Sequence, residues 1–586
     1  MKRSWFVLAL IAAYAAPGAA APAIEPLLKI ETGQHIQGIE RVSVDAAGKW
    51  LVTSSRDRTA RLWDLATGRV VRTFRVHQGP ADDGSIYVAA ISPDARVVVI
   101  SALASVNTLF VVDRATGRLL KRLPELPALA GGLAFSPDGK RLAALLAKGG
   151  VRVYDTKSWT LAYADATCPA AVFGADFNRA GELVTACQDG VVRLTNPAGK
   201  PTASVKPTSG TIPFSVRFSP DGQKIGLSFA DNDHIDVIQA GDLSPLYSPD
   251  VTGISGGDLH SLAWSPDSTW LMAGGSAEKI RRWSKAGQGP YDDAPRKKGD
   301  VVMDLAALPD GGLLFSLGDG GWGVYGQNGR PVRKVAPVIA EFREMRLRLT
   351  PDGKTVRFAY SQGGHDLAAF EVEALQLLPG KNTPLDLVSP EDFGPGIKIT
   401  KWHDERQPQL NETALPIEAS EMSRTVSVSP DGSVFVVGTD RGEHAFDPQG
   451  QIRWEFTTPA PVQAVNVSSD DRLVVVASAD GTILWQRASD GAPLLTLFPH
   501  ADRKRWVAFT RSGYYETSAD GESLIGFLEN ATADKLPNFV PAARYRARFH
   551  RPDIVARILD TLDEDEAVKQ ANAARKAVVG KKGAKK

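Results

Sequence analysis

Few side chains in this 586-residue sequence stand where chemistry would want them, and each group can be held against what its reaction demands. Cys168 and Cys187 are the only cysteines, and a thiol can bridge, attack as a nucleophile, or pack as a small apolar group. No histidine is placed locally to activate either one, so a catalytic cysteine would need a base delivered by the fold. Asp231, Asp233 and Asp236 cluster in SFADNDHIDV and could bring several carboxylate oxygens to a calcium ion. The alternative is a solvated turn, because the loop spacing and glycine of a helix–loop–helix calcium site are missing. Nine histidines are spread without an HExxH pair or a CxxC context, which favours satisfied structural roles over a zinc site. Gly353-Lys354-Thr355 ends like a phosphate loop, yet Arg348 stands where that loop requires glycine. No residue is assigned a catalytic role, and no metal or cofactor is expected.

Bulk properties narrow the classes further. Lys plus Arg number 68 against 67 Asp plus Glu, a balance that argues against nucleic-acid binding and polybasic membrane attachment. The start reads Lys2, Arg3, an apolar run from Trp5 to Ala16, then Pro17, Gly18 and small residues to Ala23, the pattern of a secretory signal peptide over 1–23. The run is too short to span a bilayer, and no cysteine offers a lipid anchor. Periplasmic or secreted localisation follows, with no membrane insertion after cleavage. Loss of the segment shifts the formal net charge from +1 to −1.

What positions any site here is a repeat. A turn of the form SPDG, or a worn copy, ends at Gly48, Ala95, Gly139, Gly181, Gly222, Ser268, Gly311, Gly353, Gly432, Asp471 and Gly513. The spacing is about forty residues apart from one double gap, where VSPED at Val388 to Asp392 supplies a degraded copy, making twelve units. Each unit reads strand, turn, strand, turn, strand. LAALLA, from Leu142 to Ala147, is small and apolar on both faces, as suits a strand buried between neighbouring sheets.

These units resemble the bacterial WD40-repeat family, whose fold is the β-propeller. His35, Thr53, Asp57 and Trp63 match the family's four structural positions, which the resemblance implies are linked by hydrogen bonds. Later units are worn: Asp189, Asp319, Asp440 and Asp480 keep the acidic turn, while Trp283 and Trp485 keep the tryptophan less cleanly. The expected fold is all-β, with tandem propellers: a seven-bladed ring in 24–340, a smaller or irregular one in 341–535, and a helical extension with a basic tail in 536–586. Leu27 to Gly33 is expected to add an outer strand to the last blade of the first ring. GQIRWEF (Gly450 to Phe456) and ADGTILW (Ala479 to Trp485) also resemble quinoprotein-type propellers, which include both cofactor-binding dehydrogenases and assembly scaffolds. In a WD blade the loops holding Cys168 and Cys187 open on one face. A bridge contributing about 3 kcal/mol is then possible, and two buried thiols remain the alternative.

Towards the carboxyl end, GYYETS and FHRPDIV resemble the region following the repeats in bacterial proteins that carry a caspase-like peptidase, although a charged stretch and KKGAKK follow here. Pro552, with Ile554, Val555, Ile558, Leu559 and Leu562 on one stripe, predicts an amphipathic helix packed on a propeller edge. Together these features predict a non-catalytic scaffold for protein partners, with Arg56 and Arg58, beside Asp57, as candidate contacts. The alternatives are a propeller enzyme, hydrolase or quinone-dependent oxidoreductase, working at the central channel, and an accessory subunit of a separate caspase-like peptidase.

Overall fold

Each repeat is organised by its turn chemistry, seen clearly at Ser136 to Arg141. Ser136 Oγ donates to Asp138 at 2.7 Å and accepts the Arg141 N–H at 2.9 Å, while Asp138 accepts the Lys140 N–H at 3.0 Å. The chain reverses through Gly139 at φ +70°, a conformation that costs glycine little. The same serine–aspartate pair closes the turns at Ser92, Ser219, Ser265, Ser429 and Ser468.

The computed structural model describes residues 25–583 except 80–82, 104–106, 255–256, 278, 297–299, 381–385 and 531–534. The signal-like segment 1–23 and the last residues of the basic tail lie outside the described residues. Four-stranded antiparallel sheets follow one another along the chain as blades one to seven, over residues 39–74, 86–122, 130–165, 172–205, 213–247, 261–295 and 302–335. Their inner strands pack in chain order, and that of blade seven packs against that of blade one, closing the ring. Side chains on the inner strands tie successive blades. Asp304 accepts the Val42 N–H at 3.0 Å across the closure, Asp176 accepts the Phe218 N–H at 2.9 Å, and Ser43 Oγ accepts the Ile91 N–H at 3.1 Å. Burial pushes the Asp176 carboxyl up to about 6.

Blades eight to eleven, over 348–379, 393–414, 423–457 and 462–517, form the second, smaller propeller. Blade ten packs on blade nine through Val426, Val428 and Phe435 against Ile397 and Ile399, and on blade eleven through Val462 and Val465. Blade eleven returns to blade eight, where Trp485 Nε1 donates to Gly353 O at 2.9 Å. Asn466 Nδ2 also donates to Leu347 O and to Val388 O, at 2.9 and 3.0 Å. The turn ending at Gly513 builds no blade of its own. Its strands Trp506–Thr510 and Tyr515–Thr517 extend blade eleven to six strands.

The amino-terminal strand corrects one expectation. Leu27–Ile30 adds nothing to blade seven, which has its own outer strand Pro331–Val335. It pairs antiparallel with Ile525–Glu529, itself paired with Asn538–Pro541. Leu28 and Ile30 pack against a cluster of Phe498, Tyr515, Phe527 and Phe549, and burial of that apolar surface holds the strand there. The following Glu31 takes Arg61 of blade one at 2.7 Å and also pairs with Arg75. A clamp of early and late residues therefore joins the rings. GYYETS and FHRPDIV both belong to it, with Tyr515 and His550 in parallel pairing and Glu516 bonded to His550 at 3.1 Å.

The apolar stripe after Pro552 forms two one-turn helices, Pro552–Val555 and Ile558–Thr561, and not one continuous helix. Ile554, Val555, Ile558 and Leu559 are buried against Leu494, Leu497 and Trp506, so the break preserves the contact with blade eleven. Helix Glu564–Gly583 follows, and no described helix is long and apolar enough to cross a membrane.

Candidate functional site

Blade one holds the four-residue chain. Trp63 Nε1 donates to Thr53 Oγ1 at 2.8 Å, Thr53 meets His35 Nε2 at 2.7 Å, and His35 Nδ1 meets Asp57 at 2.8 Å. Burial pushes the His35 imidazole down, against the pull of Asp57. Burial would raise Asp57, but His35, Arg61 and the Thr59 hydroxyl outweigh it and hold the carboxyl well below its usual range. A neutral ring then donates from Nδ1 and accepts at Nε2, so every polar atom points one way along the chain. This arrangement locks the loop before the blade to its middle strands.

Worn blades use the same residue types differently. Trp283 donates its indole N–H to Asp250 O at 2.7 Å, and Trp322, edge-on against Trp63, has no acceptor among the described residues. Asp189 holds Arg193 at 2.6 Å, whereas Asp319, Asp440 and Asp480 accept backbone N–H groups at 2.8, 3.0 and 3.0 Å. Cys168 and Cys187 are joined, with Cα atoms 5.9 Å apart, linking the entry of blade four to the end of its second strand. Asp231 accepts from Thr211, Asp236 from Ser209 and Ser248, and Asp233 faces His234, so the three carboxylates serve three separate contacts.

One motif escaped the reading above: Gly253 to Gly257 spells GxSxG, the pattern of a nucleophile elbow. Ser255 lies outside the described residues. Among the described residues, strand Pro245–Tyr247 is followed by strand Ser261–Trp264 and not by the helix that the strand–turn–helix of an elbow needs.

The central channel of the first ring is filled by its own side chains. Phe173 and Phe214 stack at 5.1 Å, His260 meets Phe214 edge-on at 5.3 Å, and the Arg41 guanidinium lies 5.5 Å from the Phe214 ring. About 90 Å³ remains there, well short of the roughly 300 Å³ at which ligand sites begin.

A larger space, about 670 Å³, opens between the rings. Glu40, Arg56, Arg58 and Tyr87 line it from the first ring. Glu418, Glu421, Arg441, Glu443, His444 and Glu455 line it from blade ten and the segment before it. Both sequence-chosen arginines therefore reach one cleft. Arg56 pairs with Glu40 at 2.6 Å, and Arg58 Nη1 faces the carbonyls of Gly79 and Asp83 at 3.4 and 3.5 Å. Opposite them His444 is gripped from both sides, by Glu421 at 2.9 Å and Glu455 at 3.0 Å, while Arg441 meets Glu418 at 3.5 Å. The acidic wall was missed by motif reasoning, but a signal existed. In DRGEHA, Glu443 stands where DGTILW has the buried Ile483, so a charged residue occupies a core position of the repeat.

Comparison with known proteins agrees with this architecture. Residues 400–513 match the family model described as outer membrane protein assembly factor BamB, and residues 28–64 and 249–284 match the WD domain, G-beta repeat. Among curated proteins, the chain is 29% identical over 119 residues to the ribosome biogenesis protein BOP1 homolog of Monosiga brevicollis, covering 18% of this chain and 14% of that one. It is 32% identical over 83 residues to the ribosome biogenesis protein ERB1 of Meyerozyma guilliermondii, covering 14% and 10%. The BOP1 homolog of Drosophila melanogaster is 33% identical over 98 residues, covering 16% and 12%. The chain thus spans about a tenth to a seventh of the length of these relatives.

Proposed function

We propose that this protein is an exported, non-catalytic scaffold that binds protein partners at the cleft between its two propellers. The observation that carries the reading is the 670 Å³ cleft, whose walls come from both rings and present charged side chains of both signs. A filled central channel disfavours the propeller-enzyme alternative, whose substrate or quinone would need that space. The likeness to the assembly-factor model falls on the ring that supplies the acidic wall, which suits a role in assembling other proteins. Likeness to the ribosome-biogenesis proteins covers at most 18% of this chain and supports the repeat more than the task. Export, to the periplasm or beyond, is favoured by the signal-like start and by the Cys168–Cys187 bridge, which persists in oxidising compartments.

The test is in-cell crosslinking of the mature protein followed by mass spectrometry, comparing wild type with the double variant Arg56→Glu, Arg58→Glu. The scaffold reading expects partners that wild type captures and the variant loses. Recovery of no partner by wild type would overturn it.

A further inference from the structure

One group in the cleft is chemically incomplete. Glu443 begins the middle of strand Gly442–Phe446, is fully buried, and has no hydrogen-bond partner for either carboxylate oxygen among the described residues. Gln486 of blade eleven lies beside it, and its Oε1 is likewise without a donor, while its Nε2 reaches Gly491 O at 3.3 Å. Turning that amide would give Glu443 one N–H and still leave its second oxygen unmet. Buried acceptors without donors are costly, so folded proteins carry few of them. Burial raises the Glu443 carboxyl to about 8, and the neutral acid, even if its one O–H is donated to Gln486 Oε1, leaves its own carbonyl oxygen without a donor among the described residues.

The surroundings say which kind of group is missing. The other carboxylates of the cleft already have partners: Glu40 has Arg56, Glu418 has Arg441, Glu421 and Glu455 grip His444, and Asp440 accepts the Met422 N–H. Six acidic side chains line the space against three arginines and one histidine, and of the six Glu443 is the one with neither oxygen bonded among the described residues. Pro416, Phe456, Pro459 and Pro461 also line the space, apolar surface against which an aliphatic stem can lie.

We propose that the cleft receives a lysine- or arginine-bearing segment of the partner protein, with one cationic head group meeting Glu443 while its stem packs on the proline–phenylalanine surface. This rests on the scaffold reading and adds the partner's chemistry. An ammonium carries three N–H donors and a guanidinium five, enough to satisfy both Glu443 oxygens and Gln486 Oε1, and the positive charge restores the ionised carboxylate. Neither a carboxylate nor a phosphate could do so.

The test is calorimetric titration of the full-length mature protein with hexalysine and with its fully Nε-acetylated form, for wild type, Glu443→Gln and Glu455→Gln. Hexalysine is expected to bind wild type, to bind Glu443→Gln at least tenfold more weakly, and to lose binding on acetylation. Glu455→Gln, which lies at the cleft edge and leaves Glu443 in place, should weaken binding by less. Thermal melting of each variant establishes that it is folded. No binding to wild type, equal binding to Glu443→Gln, or equal binding of the acetylated peptide would each overturn the proposal. Crosslinking keeps the two readings apart. If wild type and Glu443→Gln capture the same partners, the cationic pairing fails and the scaffold stands; if wild type captures none, the scaffold itself fails.

Discussion

Blade one and blade ten each bury a histidine against carboxylates, and they spend it in opposite ways. His35 sits in a closed chain from Trp63 to Asp57 in which every donor has one acceptor. His444 bridges two glutamates at the edge of an open cleft, next to Glu443, whose oxygens have no partner among the described residues. The same blade geometry is thus a lock in one ring and an unfinished site in the other. Regularity of the repeat tracks this split, because a satisfied polar network fixes the fold while an unsatisfied one persists where something outside the chain completes it.

The contrast can be broken most forcefully through pH. The folded Glu443 pKa is raised to about 8 from 4.5, so the native state holds the proton more tightly than the unfolded chain does. Stability from this group is full below about 4.5 and falls as pH rises through about 8, by on the order of 4 kcal/mol. Glu443→Gln should remove that fall, leaving the variant more stable than wild type at pH 9 in chemical denaturation. A variant that is less stable there would show that Glu443 is satisfied after all.

Neutralising the blade-one carboxylate should do the reverse. Asp57→Asn is expected to cost about 3 kcal/mol near neutral pH, because the buried His35 N–H and Thr59 hydroxyl lose a charged acceptor. Since the native Asp57 pKa is depressed, its contribution is present above about 3.8 and fades only as pH falls through the lower folded value. Opposite signs for two acid-to-amide changes on one scaffold are what the comparison demands; matching signs in urea titrations would dissolve it.

The rings also differ in covalent support, since the Cys168–Cys187 bridge belongs to the first alone. Replacing both cysteines by alanine should remove about 3 kcal/mol in the chain-entropy account, lowering the calorimetric transition of the first ring more than that of the second. A uniform shift would mean that the clamp melts both rings together. The smallest effect compares two buried tryptophans. Trp63→Phe gives up the bond to Thr53 and should cost about 1–2 kcal/mol more than Trp322→Phe, whose indole N–H has no acceptor to lose. Equal melting temperatures for the two variants would show that the Trp63–Thr53 bond carries no net stability.

Much of this molecule was legible in its sequence because turns and alternation are local. SPDG fixes a reversal through a serine, an aspartate and a glycine within five residues, and the small apolar strands between them declare burial on both faces. Ten of the twelve turn signals fall between the first and second strands of a blade, and His35, Thr53, Asp57 and Trp63 were named together. What stayed hidden was long-range. Nothing near Leu27 indicates Ile525–Glu529 as its partner, and the turn at Gly513 gives no sign that its strands extend blade eleven outward. Arg56 and Arg58 could be chosen for their residue type, but the wall they face comes from a ring about 360 residues away, and Glu443 was passed over because no motif contains it.

The pairing of Leu27–Ile30 with Ile525–Glu529 sets a timetable for the chain. A ribosome working at about 5–20 residues per second delivers the second strand roughly 25–100 s after the first. Throughout that interval Leu28 and Ile30 have no aromatic cluster to enter, and the strand remains an open edge. The first ring can close on its own seven sheets, but the molecule is sealed only by nearly its last sixty residues. A chain that stops before Ile525 keeps its first strand unpaired, so synthesis as far as that strand is a physical check written into the fold.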